Sequence, residues 1–332
     1  MIENRKIVLK SRPRGVPQPE NFSLVTEQLG DPAPGMALIE VSHISIDAFI
    51  RTTLEDESFH GSVAVGATVV ALGVGKVLAS AADGLAAGDW VVGPTMAQTH
   101  AMMPGAAFRK VDVAGVEPSA YLGVLGMTTG LTAYFGLLEV AGVKPNDTVV
   151  VSGAAGGVGS VVCQLAAIRG GRVIGVAGGP EKVRYLTETL GADAAIDYKS
   201  EDVGARLSEL APNGINVFFD NVGGELLDTV LDRLASGARI SICGAISQYD
   251  HLKDVRGPSL YLRLAERNSC MCGFTVDRFQ ERFPEATANL ISWMQDGRLK
   301  LPEHVERGID RFPEALAMLF TGGHMGKLLV AP

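Results

Sequence analysis

The stretch VVVSGAAGGVGSVVCQLAAIRG, from Val149 to Gly170, decides the fold. An apolar run ends at Ser152, a burst of glycine and alanine follows, and a segment of helical character completes the stretch. Glycines between a strand and a helix permit a tight turn and let backbone N–H groups approach an anion, which the helix N-terminus also attracts. The spacing G-A-A-G-G-V-G differs from strict G-x-G-x-x-G, and no Gly-Lys-Ser/Thr of a Walker loop follows. The stretch predicts a nucleotide-binding turn rather than a glycine-rich turn without a ligand.

Strands and helices alternate on the C-terminal side of this turn. RVIGVAGG, AAIDY, INVFFDNVGG and ARISICGAIS have the composition of strands, and PEKVRYLTETLG, EDVGARLSEL and ELLDTVLDRLAS lie between them with the pattern of helices. Apolar strands separated by amphipathic helices are typical of a parallel sheet with right-handed crossovers. The alternation predicts such an α/β sheet from about Asn146 to Gly273.

The first third of the chain has a β-rich pattern instead. MALIEVSHISI, from Met36 to Ile46, alternates apolar and polar residues as a half-buried strand does. VVALGVGKVLAS carries glycines inside a strand-like run, and DGLAAGDWVVGP combines a turn, a strand and a proline. Many short strands with Gly/Pro turns predict a small barrel-like or sandwich domain beside the parallel sheet.

The composition narrows the class of protein. The 332 residues are 47% hydrophobic and 20% charged, with a formal net charge of -8, as in a well-packed soluble protein. No basic stretch is long enough to follow a phosphate backbone, so we expect no nucleic-acid partner. No apolar segment reaches the length of a membrane span and no apolar signal core begins the chain. We therefore expect no membrane partner and a cytoplasmic location.

The strand after the glycine turn indicates which dinucleotide binds. In NAD sites this strand ends near an acidic residue that binds the ribose hydroxyls. Here the strand ends in Gly178 and Gly179, Glu181 comes later inside the next helix, and Lys182 lies close enough to meet a phosphate. A cation in place of the acidic residue favours binding of the 2′-phosphate of NADP. The alternative is that Lys182 is a solvated lysine on the surface of the helix.

Several longer motifs resemble one family. They are ENFSLVTEQLGDPAPGMALIEV, GMTTGLTAYFGLLEVAGVKPNDTVVVSGAAGGVGSVV, DAAIDYKSEDV, FFDNVGGELLDTVL, CGAISQY and GKLLV, and they span nearly the whole chain. Together they resemble the zinc-free medium-chain dehydrogenases/reductases, and more closely the branch of prostaglandin reductases and NADP-dependent alkenal double-bond reductases. The resemblance implies a GroES-like β-rich barrel domain of residues 1–125 and 300–332. It also implies a doubly wound Rossmann domain of residues 126–299, with substrate in the cleft between the two.

The resemblance also implies residue-by-residue contacts with NADP(H). The glycine turn would face the pyrophosphate, Lys182 and Tyr198 would hold the 2′-phosphate, and Asn221 with residues 243–249 would flank the nicotinamide, which residues 274–276 would reach. For Tyr198, a strand-end tyrosine with a solvated hydroxyl is the alternative. The predicted cofactor set is Gly156, Gly157, Val158, Gly159, Ser160, Lys182, Tyr198, Asn221, Cys243, Gly244, Ala245, Ile246, Ser247, Tyr249, Phe274, Thr275, Val276 and His324.

Three departures from the family pattern concern the substrate side. His324 stands where the family has asparagine, two residues before the glycine of the GK motif. The family's DPYMR becomes DAFIR, with Ala48 and Phe49. VAVGATVVALGVG, residues 63–75, lacks the polar and charged residues expected there. The altered segment 63–75 keeps a non-catalytic NADPH-binding sensor as an alternative of a different class.

The chain lacks the pattern of a zinc alcohol dehydrogenase. No cysteine precedes Cys163, no Gly-His-Glu follows the early strands, and His43, His60 and His100 are isolated in the sequence. We therefore predict no metal, which disfavours alcohol oxidation. Reduction of a carbon–carbon double bond conjugated to a carbonyl needs no Lewis acid. Hydride from NADPH adds at the β carbon, and the protein stabilises the enolate while a proton reaches the α carbon.

Tyr249 is the predicted catalytic residue. It follows the last strand of the alternating region, and the carboxyl ends of such strands line the ligand crevice. Its hydroxyl could bind the enolate or relay a proton, or its ring could simply pack; Tyr261 and the cofactor's ribose hydroxyl are the alternatives. We predict a zinc-independent NADPH-dependent reductase of α,β-unsaturated aldehydes and ketones, with a zinc-free quinone reductase as the alternative. The resemblance further implies a homodimer.

Overall fold

The computed structural model describes all 332 residues, Met1–Pro332. The strands are β1 (Ile2–Leu9), β2 (Phe22–Leu29), β3 (Met36–Ser45), β4 (Gly73–Ser80), β5 (Trp90–Gly93), β6 (His100–Pro104), β7 (Arg109–Lys110), β8 (Thr148–Ser152), β9 (Arg172–Ala177), β10 (Ala194–Asp197), β11 (Ile215–Asp220), β12 (Leu234–Ile242), β13 (Cys270–Gly273), β14 (Glu303–Arg307) and β15 (Lys327–Ala331). The α-helices are α1 (Phe49–Thr53), α2 (Thr132–Phe135), α3 (Gly157–Ile168), α4 (Pro180–Arg184), α5 (Val203–Leu210), α6 (Gly224–Leu231), α7 (Leu262–Glu266), α8 (Phe283–Gln295) and α9 (Phe312–Thr321). No helix is both long enough and apolar enough to cross a membrane.

Six parallel strands form one sheet, in the order β10-β9-β8-β11-β12-β13. This is the strand order of a doubly wound Rossmann fold, so the predicted α/β fold is confirmed. One face of the sheet packs against α2, α3 and α8, and the other packs against α5 and α6. Because both faces are covered, β8 (TVVVS) is an almost continuous apolar run rather than an alternating one.

Two elements of this sheet differ from the sequence prediction. ELLDTVLDRLAS is expected to be helical throughout, but α6 ends at Leu231 and β12 begins at Leu234, which pairs with Ile215 of β11. Strand pairing therefore overrides the helical pattern at this junction. The pattern also does not predict β13, a four-residue strand without a long apolar run.

The second large sheet is β-rich and unites the two ends of the chain. Its order is β14-β15-β3-β4-β5-β7, with β6 also paired to β3, while β1 and β2 form a separate two-stranded sheet. β15 runs antiparallel to β3, so the C-terminal strand completes a sheet built mainly from the first third of the chain. This confirms the predicted β-rich unit. The domain limits at residues 125/126 and 299/300 stay predictions.

The two large sheets are joined at three places. The Gly326 N–H donates to the Ala155 carbonyl at 2.9 Å, which connects the segment before β15 to the glycine turn. Beside this contact, Thr128 Oγ1, in the segment before α2, donates to Asp47 Oδ1 at 3.1 Å, and the same carboxylate oxygen accepts a hydrogen bond from Lys327 Nζ of the β-rich side at 2.7 Å. Further out, the buried Arg51 of α1 donates through Nη2 to the Asp250 carbonyl at 3.2 Å. These contacts bound a cleft between the sheets.

Candidate active site

A cleft of about 1060 Å³ lies between the two sheets. The β-rich side contributes residues such as Asp47, Phe49 and Leu72, and the Rossmann side contributes the glycine turn and the carboxyl ends of its strands. Both large domain-interface clefts and the carboxyl edge of a doubly wound sheet are common ligand sites. The two features coincide here.

The glycine turn lies at the floor of the cleft, between β8 and α3. Gly153 has a φ of +57°, in the region that favours glycine. A Cβ placed on Gly159 would stand 2.3 Å from the Gly153 carbonyl oxygen, so only glycine fits where α3 crosses the turn. Asn221 fixes the neighbouring strand end, because its side-chain amide donates to the Ser152 carbonyl at 2.7 Å. The turn is thus held tightly, with the N-terminus of α3 directed at the cleft.

Two lysines and a tyrosine surround the end of β9. A Cβ on Gly178 would stand 2.8 Å from the Tyr198 ring and 2.9 Å from Lys199 Cε, so both side chains lie against this turn. Burial lowers the pKa of Lys182, and the neighbouring Lys199 lowers it further. The nearest carboxylate, Asp197, accepts hydrogen bonds from the Gly179 and Lys199 N–H groups, at 2.7 and 3.0 Å. The cations are therefore left available for an anionic group in the cleft.

Tyr249 supplies a partly buried phenol to the cleft from the segment that follows β12. The Ala245 N–H donates to its oxygen at 3.1 Å, which orients the phenol and leaves its own proton free to be donated. Burial raises the pKa of Tyr249, so the phenol is protonated at neutral pH. The nearby Cys243 also lines the cleft, and burial, with a smaller contribution from the Asp220 charge, raises its pKa to about 12.

Comparison with known proteins identifies the family. Residues 5–111 match the model described as the N-terminal domain of oxidoreductase, and residues 157–293 match the zinc-binding dehydrogenase model. The NADPH-dependent curcumin reductase of Escherichia coli is 34% identical over 98% of this chain and 96% of its own. Prostaglandin reductase 1 of Rattus norvegicus is 34% identical over 99% of both chains. The chain belongs to the medium-chain dehydrogenase/reductase family, in its zinc-free reductase branch.

A solved member of this family bears on the cofactor. CurA from Vibrio vulnificus in complex with NADPH superposes with a TM-score of 0.93, at 37% identity, over 98% of both chains. The cofactor of this medium-chain reductase is NADP(H), as predicted. The glycine turn at the N-terminus of α3 suits its pyrophosphate, and the cations beside β9 suit its 2′-phosphate.

The residues of this medium-chain reductase do not fit a zinc site, although one matching model is named for zinc. Nowhere do three or more His, Cys, Asp or Glu side chains lie close enough together to hold a metal ion. Two of the four cysteines, Cys270 and Cys272, lie on β13, outside the cleft. The chemistry proposed below therefore uses no metal.

All but two of the residues predicted to contact the cofactor line the cleft. Ser160 is fully buried, with its N–H donated to the Gly156 carbonyl at 2.9 Å, and the structure does not bring it to the surface of the cleft. Ala245 is not on the cleft wall either, but its N–H holds Tyr249. Tyr261, the second catalytic candidate, is 58% exposed and lies away from the cleft.

The structure adds cleft residues that the sequence reasoning missed. Lys327 and Asp47 form a buried ion pair, in which Asp47 also accepts hydrogen bonds from Thr128 at 3.1 Å and from Ser45 at 2.5 Å. The sequence did contain a signal for Lys327 and Asp47, because these residues belong to the GK and DAFIR motifs. His60 also lines the cleft, though nothing in its sequence surroundings distinguishes it from an isolated surface histidine.

Proposed function

We propose that this reductase uses NADPH to reduce the carbon–carbon double bond of α,β-unsaturated aldehydes and ketones. One observation carries the proposal. The cleft presents a protonated phenol, Tyr249, beyond the carboxyl end of β12, where a hydrogen-bond donor can neutralise charge that develops on a carbonyl oxygen. The names of the curcumin and prostaglandin reductases among its relatives support the same class of substrate.

The proposed cofactor contacts follow the lining of the cleft. The glycine turn and the first turn of α3 face the pyrophosphate, and Lys182 with Tyr198 binds the 2′-phosphate. Asn221, the segment 243–249 and the segment 274–276 flank the nicotinamide. When bound, NADPH supplies the hydride that is added to the β carbon of the substrate.

The phenol of Tyr249 then has a defined task. Its hydroxyl donates a hydrogen bond to the carbonyl oxygen, and its raised pKa keeps the proton on the phenol until the oxygen becomes enolate-like. The Ala245 N–H holds the phenol oxygen in place, so the donor is pre-organised before substrate enters. Phe49 and Leu72 are among the apolar residues that line the cleft, and an apolar surrounding strengthens such a hydrogen bond.

We further propose that two copies associate through β13. This strand is the outermost of the parallel sheet and pairs only with β12, so its other edge is free to pair across a two-fold axis. The free edge is thus the strand after ARISICGAIS, whereas β12 itself lies inside the sheet. Sedimentation velocity tests the dimer, and a single species with the mass of one chain would exclude it.

The deciding experiment follows NADPH absorbance with trans-2-alkenals and enones of graded length, beside simple aldehydes, quinones and NADH. We expect turnover of enones with NADPH only. With NADPH deuterated at C4, the label should appear at the β carbon of the product by NMR. Preference for quinones would instead establish a quinone reductase. Tight NADPH binding without turnover of any compound would establish the sensor.

The matched variant for the catalytic residue is Tyr249→Phe, which keeps the ring and removes the donor. Loss of one pre-organised donor to an oxyanion costs about 10²–10³ in rate. We expect kcat on an enone to fall by about that factor while the dissociation constant for NADPH changes little. Unchanged kcat would transfer the role to the ribose hydroxyl of the cofactor.

A further inference from the structure

One wall of the cleft carries three rings from a short part of the chain. Phe49 begins α1, and Phe59 and His60 follow in the loop after it; all three line the cleft. The His60 ring centre lies 5.5 Å from that of Phe49 and 5.1 Å from that of Phe59. Phe59 is 84% exposed, so a large apolar ring faces water at the mouth. A flat substrate covering these rings would remove that surface from water.

The hydrogen bonds of Thr52 determine which nitrogen of His60 carries a proton. Thr52 Oγ1 donates to the Phe49 carbonyl at 2.7 Å, and this bond uses its single hydrogen. His60 Nδ1 lies 2.9 Å from the same oxygen. Since the threonine has no second proton, His60 must be the donor in this contact. We therefore assign the proton of the neutral ring to Nδ1.

The other ring nitrogen is consequently an acceptor. The His60 side chain is exposed but partly desolvated, which lowers its pKa below the ordinary 6.5 and favours the neutral ring. A neutral imidazole with a proton on Nδ1 offers a lone pair at Nε2. No group of the protein donates to Nε2, whereas Nδ1 and the backbone N–H of His60 both have partners, Thr52 and Ser58. The wall therefore presents one oriented acceptor between two apolar rings.

We propose that His60 is a specificity-determining residue, whose Nε2 accepts a hydrogen bond from a hydroxyl group on the outer end of a flat, conjugated substrate. Phe49 and Phe59 contact the faces of that substrate, and the acceptor distinguishes a hydroxylated compound from its ether. The inference rests on the proposed function, because it names the substrates that this cleft prefers. Thr52 acts through His60 and is a positioning residue.

The test compares 4-(4-hydroxyphenyl)but-3-en-2-one with its 4-methoxyphenyl analogue. The two share the enone and the aromatic ring, but only the first can donate to Nε2. A net hydrogen bond of ordinary strength corresponds to a preference of roughly two- to tenfold in kcat/KM for the hydroxyl compound. We expect that preference in the unmodified protein, expressed mainly in KM.

Three variants test whether the Nε2 lone pair of His60 causes the preference for the hydroxyl compound. His60→Phe keeps an aromatic ring against Phe49 but has no lone pair, so the preference should disappear. Thr52→Val removes the partner of Nδ1 and lets the proton move to Nε2, so the preference should shift toward the ether. Thr53→Val is the matched control, because Thr53 makes the same hydroxyl-to-carbonyl bond, to Ile50 at 2.8 Å, without touching His60. It should keep the preference.

Failure of this inference is distinguishable from failure of the proposed function. Turnover of both enones with the same ratio in the unmodified protein and in His60→Phe would overturn the inference and leave the function standing. If neither enone is reduced, calorimetry with the saturated ketones, 4-(4-hydroxyphenyl)butan-2-one and its methyl ether, decides the inference on the NADP⁺-loaded protein. Tighter binding of the phenol that is lost in His60→Phe supports it, and equal affinities in both proteins refute it.

Discussion

The surroundings of Lys182 suit the phosphate contact that we propose for it. It lines the cleft beside Gly322, whose Cβ position would lie 3.5 Å from the Lys182 ammonium. Partial burial and the charge of Lys199 both lower its pKa in the free protein. A phosphate dianion counteracts both effects, because it neutralises the two cations and replaces lost hydration.

The preference for NADPH over NADH should therefore depend on pH. Phosphate binding raises the pKa of Lys182, so the preference is complete below the pKa of the free protein. It falls as pH rises through that value, which lies below the ordinary 10.5. Fluorescence titration of both cofactors from neutral to alkaline pH measures the effect. Lys182→Arg should lose this pH dependence, and Lys182→Met should weaken NADPH binding by roughly 10- to 100-fold with little change for NADH. Equal weakening of both cofactors would contradict the assignment.

At single positions, the sequence predicts the cofactor half of the site better than the substrate half. The glycines and Lys182 were predictable as cleft residues, because a phosphate imposes a local pattern on one strand, one turn and one helix. His60 could not be found, because its role depends on Thr52, which fixes its tautomer, and on Phe49, which packs beside it. Ser160 was placed on the cleft wall by its neighbours in sequence, but α3 turns its side chain into the core.

The glycine turn is the element on which the nucleotide site depends most. Its backbone has no room for a side chain where α3 passes over Gly153, whereas the adjoining Gly156 is less confined. A Cβ on Gly156 would meet its nearest atom at 3.4 Å, an ordinary contact distance. Gly159 and Gly156 belong to the same motif, but the turn leaves room for a Cβ only at Gly156.

Alanine substitutions at Gly159 and Gly156 should distinguish a steric clash inside the turn from the general cost of replacing a glycine. Gly159→Ala places a Cβ 2.3 Å from the Gly153 oxygen and 2.7 Å from Ala154 Cα, so the turn must shift. We expect the free energy of unfolding to fall by about 1–3 kcal/mol, with weaker NADPH binding. Gly156→Ala should cost less than half as much. Urea denaturation followed by circular dichroism measures both, and equal losses would show that helix–turn packing is not the cause.

Elements were predictable where pattern and pairing agree. β8, α3 and β9 follow directly from an apolar run, a glycine turn and a second apolar run. The junction between α6 and β12 was misplaced because Leu234 fits a helix pattern but pairs with Ile215 in the sheet. β13 has little apolar sequence of its own, since it is an exposed edge whose only pairing is with β12.

A buried ion pair at the cleft floor connects distant parts of the chain. Lys327 belongs to the C-terminal strand, Asp47 precedes α1, and the Lys327 stem lies 3.4 Å from a Cβ position on Gly157. The pair therefore joins both ends of the β-rich sheet to the nucleotide turn. Such an arrangement was not predictable from sequence, because the partners are 280 residues apart.

Removing one partner of this pair should be costly, and removing both charges much less so. Lys327→Met leaves the buried carboxylate of Asp47 without a cation, which costs about 3–5 kcal/mol of the free energy of unfolding. Adding Asp47→Asn keeps an oxygen for Ser45 and Thr128 and removes the charge. We expect the double variant to recover most of the loss in a denaturant titration, and additive losses would refute an uncompensated charge as the cause.

The partly buried thiol of Cys243 has a consequence for the lifetime of the enzyme. The proposed substrates are electrophiles that alkylate thiolates, and Cys243 lines the very cleft that collects them. With a pKa of about 12, it exists as thiolate in only about 10⁻⁵ of molecules at neutral pH. We therefore expect Cys243 to react slowly with the proposed substrates. Peptide mapping after exposure to acrolein should find adducts first at the exposed Cys270 and none at Cys243 while the protein stays folded. Early modification of Cys243 would show that burial gives no such protection.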